Sequence, residues 1–115
     1  MSIDAYKKLD VKSLGETFKI LAEPNRLRIL KSMGLECVPV SDIVEATGLS
    51  QTNVSFHLRA LREAGLVKGE RRGGYVYYCL YDTRLLELLA AFDQWLHNHR
   101  ARLAGERGTA TASGG

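Results

Sequence analysis

The chain has 115 residues, with 16 Lys and Arg against 13 Asp and Glu, a formal net charge of +3; that length allots a single domain. Hydrophobic residues are 45% and charged residues 25%, close to the globular average, which excludes collagen-like, disordered and disulfide-framework chains. No apolar run approaches the ~18 residues of a membrane span, and the opening Met-Ser-Ile-Asp-Ala-Tyr-Lys-Lys lacks the apolar stretch of a signal peptide.

Residues 1–9 read as a short helix or arm. From Asp10 to Ala22, Val11, Leu14, Phe18 and Leu21 fall at helical spacing, and Ser13 with Glu16 has the spacing of a capping box. Glu23-Pro24 interrupts, and Pro24 suits the first position of a new helix, where a missing N–H costs nothing. Leu27, Ile29, Leu30 and Met33 form the apolar face of that helix, which Gly34 stops. Cys37-Val38-Pro39-Val40 is short, β-leaning and broken by proline, as an edge strand is.

Ser41 is the expected N-cap of the next helix, with Asp42 well placed against its dipole. That helix carries Ile43, Val44 and Ala46 and ends at Gly48. After Leu49, Ser50 caps another helix running to Gly65, whose buried stripe is Val54, Leu58 and Leu61. A glycine-containing turn this short is the spacing of a helix-turn-helix.

Two strand-like runs, 66–72 and 75–81, flank Gly73-Gly74, a pair able to supply the positive φ angles of a hairpin turn. Asp82 caps a last helix with Leu85, Leu88, Leu89, Phe92, Trp95 and Leu96 at helical spacing. From Ala104 onward no core-forming residue remains, and disorder is expected there. The expected organisation is an arm over 1–9, one DNA-binding and dimerisation domain over 10–103, and a tail over 104–115. The fold class is mostly α with a small β-hairpin, a dimeric winged helix-turn-helix.

The second helix of such a unit enters the major groove. With Val54, Leu58 and Leu61 buried, the helical period places Thr52, Phe56 and Arg59 on the opposite face, flanked by Gln51, Asn53 and Ser55. Gln and Asn bond adenine bidentately, Ser and Thr adapt, and Phe contacts a thymine methyl. Between Ser50 and Tyr75, five cations (Arg59, Arg62, Lys68, Arg71, Arg72) stand against Glu63 and Glu70, so this stretch carries a surplus equal to that of the whole chain. Arg71, Arg72 and Tyr75 lie at the hairpin tip, where a wing meets phosphates or the minor groove. A solvated helix face and a charged hairpin are the plain alternative, but cap, turn, polar face and basic tip agree with double-stranded DNA as the partner.

Leu-Ala-Glu-Pro-Asn-Arg-Leu-Arg-Ile-Leu at 21–30 resembles the signature of the ArsR/SmtB-type winged-helix repressors. So do Gly-Leu-Ser-Gln-Thr-Asn-Val-Ser-Phe-His-Leu-Arg-Ala-Leu-Arg-Glu-Ala-Gly-Leu-Val at 48–67 and Gly-Tyr-Val-Tyr-Tyr-Cys-Leu at 74–80. The resemblance covers roughly residues 10–100. It implies a homodimer built through the first and last helices, here Leu14 and Phe18 with Leu85, Leu88, Leu89, Phe92, Trp95 and Leu96. It also implies repression of a two-fold symmetric operator, released when an inducer shifts the dimer. Phe56 stands where the family often carries a basic or polar residue. His57 falls in its Ser-x-His-Leu element, beside the buried stripe, and reads as structural.

The family's metal sites lack their ligands here. Where a Cys-Val-Cys-Asp pattern is wanted the chain has Pro39-Val40-Ser41-Asp42, without soft thiolates. At the last-helix site Asp82 matches, but Arg84, Trp95 and Asn98 occupy the other positions. No metal and no cofactor is therefore assigned, and zinc or cadmium is not expected to release the protein from DNA. Asp93, His97 and His99 are leftover donors, better read as a solvated helix end. Cys37 and Cys79 are too few for a secreted staple and fit a reducing cytoplasm. Two readings of them stay open: small, inert packing residues, or a thiol switch for oxidants or soft metalloids if the short strand pairs with the second wing strand. The inducer is not identified. An enzyme is not expected, since phosphate loops, paired acids and a Cys–His nucleophile are all missing. The competing class is a winged helix that binds another protein instead of DNA.

Overall fold

The computed structural model describes residues 3–112, with side chains from Asp4 to Glu106. A 3-10 helix, Ile3–Lys8, leads into α1, Val11–Leu21. The cap of α1 is not the Ser13–Glu16 box: Asp10 has the extended backbone an N-cap needs, and its Oδ1 accepts from the Ser13 N–H at 3.1 Å. Ser13 is thereby drawn inside the first turn. Helix α2, Pro24–Met33, starts with proline at its first turn, and Glu23 caps it. Its Oε2 accepts from the N–H groups of Asn25 (2.7 Å) and Arg26 (3.2 Å). Gly34 ends the helix at φ 61°.

The predicted edge strand is real but only two residues long, β1, Val38–Pro39, and it runs straight into α3, Val40–Thr47. The N-cap position therefore falls on Pro39 rather than Ser41, and no side chain caps this helix. Pro39 has the extended backbone of a cap residue (φ −74°, ψ 159°), so the chain turns into the helix earlier than Ser41 would dictate. Gly48, left-handed at φ 73°, closes α3. Thr47 Oγ1 braces the turn, donating to Ile43 O at 2.7 Å and accepting from the Leu49 N–H at 3.3 Å. Helix α4, Gln51–Glu63, follows with Ser50 as its cap, Oγ accepting from the Asn53 N–H at 3.1 Å.

Strands β2, Val67–Arg72, and β3, Tyr75–Leu80, form the hairpin. Of the two tip glycines only Gly73 takes positive φ, as in a II′ turn. The sheet is antiparallel in the order β1-β3-β2, so β3 is central. Ile29, Leu30, Ile43, Val54, Leu58, Leu61 and Val67 are fully buried and form the core where α2, α3, α4 and β2 meet. Each such side chain contributes roughly 1.5–3 kcal/mol over its exposed state. Leu27, placed by spacing on the apolar face of α2, is instead exposed. These elements make a winged helix-turn-helix.

This first unit ends at Thr83, and a second begins at Arg84. The second is a single helix, α5, Arg84–Ala112. It begins at Arg84, two residues after Asp82. It also continues past Ala104, where composition predicts disorder. Arg102, Leu103, Ala104 and Glu106 are good helix formers, and once a helix is nucleated each further residue adds a hydrogen bond. Residues 113–115 of the expected tail lie outside the described residues.

Candidate nucleic-acid interface

Ser50 and the Gly48 turn fix where α4 begins, and the buried stripe fixes which way it faces. Val54, His57, Leu58 and Leu61 are buried, while Gln51, Thr52, Asn53, Ser55, Phe56 and Arg59 are all exposed. The exposed set is contiguous on one side of the first two turns. Phe56 is 64% exposed, a large apolar ring surrounded by polar side chains, and its edge meets the His57 ring at 5.3 Å between centroids. An aromatic held at the centre of a hydrogen-bonding face suits a groove floor carrying thymine methyls and base edges.

Arg71, Arg72 and Tyr75 are exposed at the hairpin tip, and Arg72 and Tyr75 face each other as the last pair before the turn. Sequence spacing did not reveal that two of the three candidate arginines are already paired. Arg59 Nε donates to Glu63 Oε1 at 3.0 Å. Arg72 donates to Glu70 Oε2 from Nη2 (2.7 Å) and Nε (3.1 Å), and its guanidinium lies over the Tyr77 ring at 5.1 Å. Exposed pairs of this kind are worth only about 0–1 kcal/mol, so releasing either arginine from its carboxylate costs little.

His57 has a structural role. Its Nδ1 accepts from Arg26 Nε at 3.1 Å, and its Nε2 lies 3.8 Å from Glu23 Oε2. The Glu-Pro-Asn-Arg stretch and the histidine are each visible in the sequence, but the contact between them spans 31 residues and no spacing rule reaches that far.

Cys37 and Cys79 form a disulfide, with Cα atoms 4.3 Å apart. The pairing of β1 with β3 brings them together, and the packing-only reading does not describe this bonded state. Glu70 joins them: donor atoms of Cys37, Glu70 and Cys79 all lie within 4.8 Å of one another. Pro39 and Ser41, at the start of α3, bring no thiolate there. Asp93 and His97 pair at 3.6 Å on the exposed side of α5, and the His99 ring stacks on Trp95 at 4.8 Å.

The apolar side chains expected at a dimer interface are uncovered in both units. On α1 Leu14 and Phe18 are exposed, and on α5 Leu88, Phe92 and Trp95 are more than half exposed, with Leu85, Leu89 and Leu96 half-buried. No helix among the described residues is long and apolar enough to cross a membrane.

A family model described as a bacterial regulatory protein of the arsR family matches residues 23–68. The HTH-type transcriptional regulator NmtR of Mycobacterium tuberculosis is 45% identical over 66% of this chain, which spans 63% of that relative's length. The arsenic resistance transcriptional regulator ArsR1 of Pseudomonas putida is 37% identical, covering 78% of each chain. In structure the chain is similar to the homodimeric winged helix-turn-helix DNA-binding domain of a possible ArsR-family regulator from Mycobacterium bovis. That match has a TM-score of 0.71 and 27% identity, covering 89% of this chain and 93% of the other. With the helix-turn-helix, the wing and these relatives in agreement, the chain belongs to the ArsR family of transcriptional regulators.

Proposed function

We propose that this chain is a cytoplasmic transcriptional repressor, without catalysis of its own, that binds a two-fold symmetric DNA operator as a homodimer. The observation that carries the reading is the exposed face of α4: Gln51, Thr52, Asn53, Ser55, Phe56 and Arg59 lie on the side away from the core, with a cap and turn that fix their direction. Arg71, Arg72 and Tyr75 then serve the wing, contacting backbone and so fixing register. The exposed apolar stripes of α1 and α5 supply the dimer contact. A dimer presents two recognition helices to half-sites one helical turn, about 34–36 Å, apart.

The test is in-vitro selection from random duplex DNA, followed by fluorescence-anisotropy titration of the selected site and a scrambled one at several salt concentrations. The reading requires an inverted repeat, tighter binding to it than to the scramble, and affinity that falls steeply with salt. Failure to enrich any sequence would instead favour the protein-interaction reading.

The Cys37–Cys79 bond favours a second reading, in which the dithiol and disulfide states of this pair set DNA affinity. The bond ties β1 to β3 of the wing, so its state bears on how the tip holds Arg71 and Arg72. A coupling of about 1–3 kcal/mol would suffice to change occupancy. Diamide should weaken DNA binding by the native chain when it has first been reduced to the dithiol, and leave Cys37→Ser unaffected.

A further inference from the structure

Register places three different donors on one face of the sheet. Val38 pairs with Tyr78 and Pro39 with Tyr77, so one further step of the same antiparallel register sets Cys37 across from Cys79. Their Cα separation of 4.3 Å is that of a close, non-hydrogen-bonded pair, for which about 4.5 Å is usual. On the other side of β3, Lys68 faces Cys79 and Glu70 faces Tyr77. Glu70 is therefore the diagonal neighbour of Cys79, on the same face because side chains alternate with a period of two. Cys79 is buried, and Cys37 and Glu70 are half-buried. Sulfur, sulfur and carboxylate come within 4.8 Å of one another without any donor having to leave its strand.

We propose that, in the dithiol state, Cys37, Cys79 and Glu70 form a three-donor binding site for a thiophilic divalent cation, zinc or cadmium. The disulfide itself is no ligand, so the site opens by reduction. Two equivalents of a thiol reductant supply two electrons and two protons, giving the Cys37 and Cys79 thiols and one reductant disulfide. The cation then displaces both thiol protons to solvent and binds two thiolates, with the Glu70 carboxylate as third donor and water completing a tetrahedron. Two sulfurs at about 2.3 Å from a tetrahedral ion stand roughly 3.8 Å apart, a separation that side-chain rotation reaches with the Cα atoms in place. Two thiolates select a soft ion over magnesium or calcium. These ligands are distinct from the family positions at Pro39-Val40-Ser41-Asp42 and on α5, so the missing donors there do not exclude this ion. The expectation that zinc or cadmium does not release the protein from DNA rests on those positions alone.

Glu70 also holds Arg72, whose two donated bonds both end on Glu70 Oε2. The site is thus one side chain away from the wing arginine. Its occupation is measured without DNA, so it stands or falls separately from the repressor reading.

The experiment titrates the full chain, reduced with a phosphine under argon, with cadmium chloride, following thiolate-to-cadmium charge-transfer absorption in the ultraviolet. A chromophoric chelator in competition gives the affinity. The expected result is one cadmium per chain with a two-thiolate band that excess magnesium does not diminish. Cys37→Ser loses most of the band. Glu70→Gln keeps the band but binds about tenfold or more weakly, the size of loss usual when a site's supporting groups are removed. Asp93 and His97 cannot mimic this signal, since neither gives a sulfur transition. Circular dichroism melts confirm that each variant is folded, and Cys37→Ala at its half-buried position replaces any variant that is not. A missing band in the reduced native chain overturns the site. So does a Cys37 variant that titrates like the native chain. Equal affinity in Glu70→Gln overturns the three-donor assignment.

Discussion

Arg26 Nε donates to His57 Nδ1 at 3.1 Å, fastening the first turn of α2 to the middle of the recognition helix. Because the ring accepts at Nδ1, its proton sits on Nε2, facing Glu23 Oε2 at 3.8 Å. The same Glu23 oxygen caps α2, and Arg26 Nη1 also donates to Ile20 O at 3.3 Å near the end of α1. Three helices therefore meet through one guanidinium. This shared polar centre lies beside the buried Val54, Leu58 and Leu61 stripe of α4.

Arg26→Ala leaves the buried His57 nitrogen without its donor, a loss that costs about 1–3 kcal/mol when no water replaces it. Urea unfolding of the variant should show that decrease with an unchanged slope. At temperatures where it is still folded, DNA binding should weaken for selected and scrambled sites unequally, because a tilted α4 spoils base contacts before backbone contacts. A variant as stable as the native chain would show that the hydrogen bond carries no net stabilisation.

Gln51 and Arg72 should fail in different ways. Gln51→Ala removes a group placed to bond a base edge, so the selected site should lose roughly 1–3 kcal/mol while scrambled DNA is bound as before. Arg72→Ala should weaken both sites alike and reduce the salt slope by about 0.9, the share of a single neutralised phosphate. Anisotropy titrations of both variants on both duplexes at several salt concentrations separate the two. Equal weakening by Gln51→Ala on the two duplexes would take base reading away from that residue.

The fold was legible because its signals are local. Ser50, Gly48 and the Val54–Leu58–Leu61 stripe lie close together in the chain, and together they fix both the start and the rotation of α4. Boundaries were less legible where two cap candidates compete within a few residues, as Asp10 does with Ser13 and Pro39 with Ser41. There the winner is whichever residue already has extended backbone, which composition does not show. The site was legible in its exposed types and not in its pairings. Arg72 with Glu70 depends on a two-residue reach along a strand, and Arg26 with His57 on tertiary packing. Cys37 with Cys79 became possible once the short strand was placed beside the wing, but the approach of Glu70 to both follows only from the register of all three strands.

Phe92→Glu should give a monomer. Phe92 and Trp95 contact one another at 5.8 Å between ring centroids, and both remain more than half exposed. Burying such side chains against a second copy contributes roughly 1.5–3 kcal/mol each before ordering costs, and a carboxylate at the centre of that surface opposes it. Sedimentation equilibrium at micromolar concentration should report a dimer for the native chain and a monomer for the variant. Operator binding should weaken with it, since a second half-site bound by a linked partner benefits from high effective concentration. An unchanged mass would move the dimer contact away from α5.

The Cys37–Cys79 bond should stabilise the chain mainly by restricting its unfolded state. The two residues are separated by 42 positions, spanning α3, α4, β2 and most of β3. Closing a loop of that length restricts the unfolded chain by an amount worth about 4 kcal/mol in the chain-entropy account, with engineered examples often delivering less. The folded state depends on the bond far less. Ile29, Leu30, Ile43, Val54, Leu58 and Leu61 are buried side chains of the helices, and β3 is paired with β2 along six residue pairs. Reduction should therefore lower stability by up to about 4 kcal/mol while leaving the helical circular dichroism signal intact at room temperature. The measurement is paired urea unfolding with and without a phosphine reductant, repeated on Cys37→Ser. The variant should match the reduced native chain and show no response to the reductant. If reduction unfolds the protein outright, the bond is a structural staple, and the dithiol state has no folded site to offer a cation. If reduction changes nothing, the constraint is already present in the unfolded ensemble, and the bond acts only on the wing.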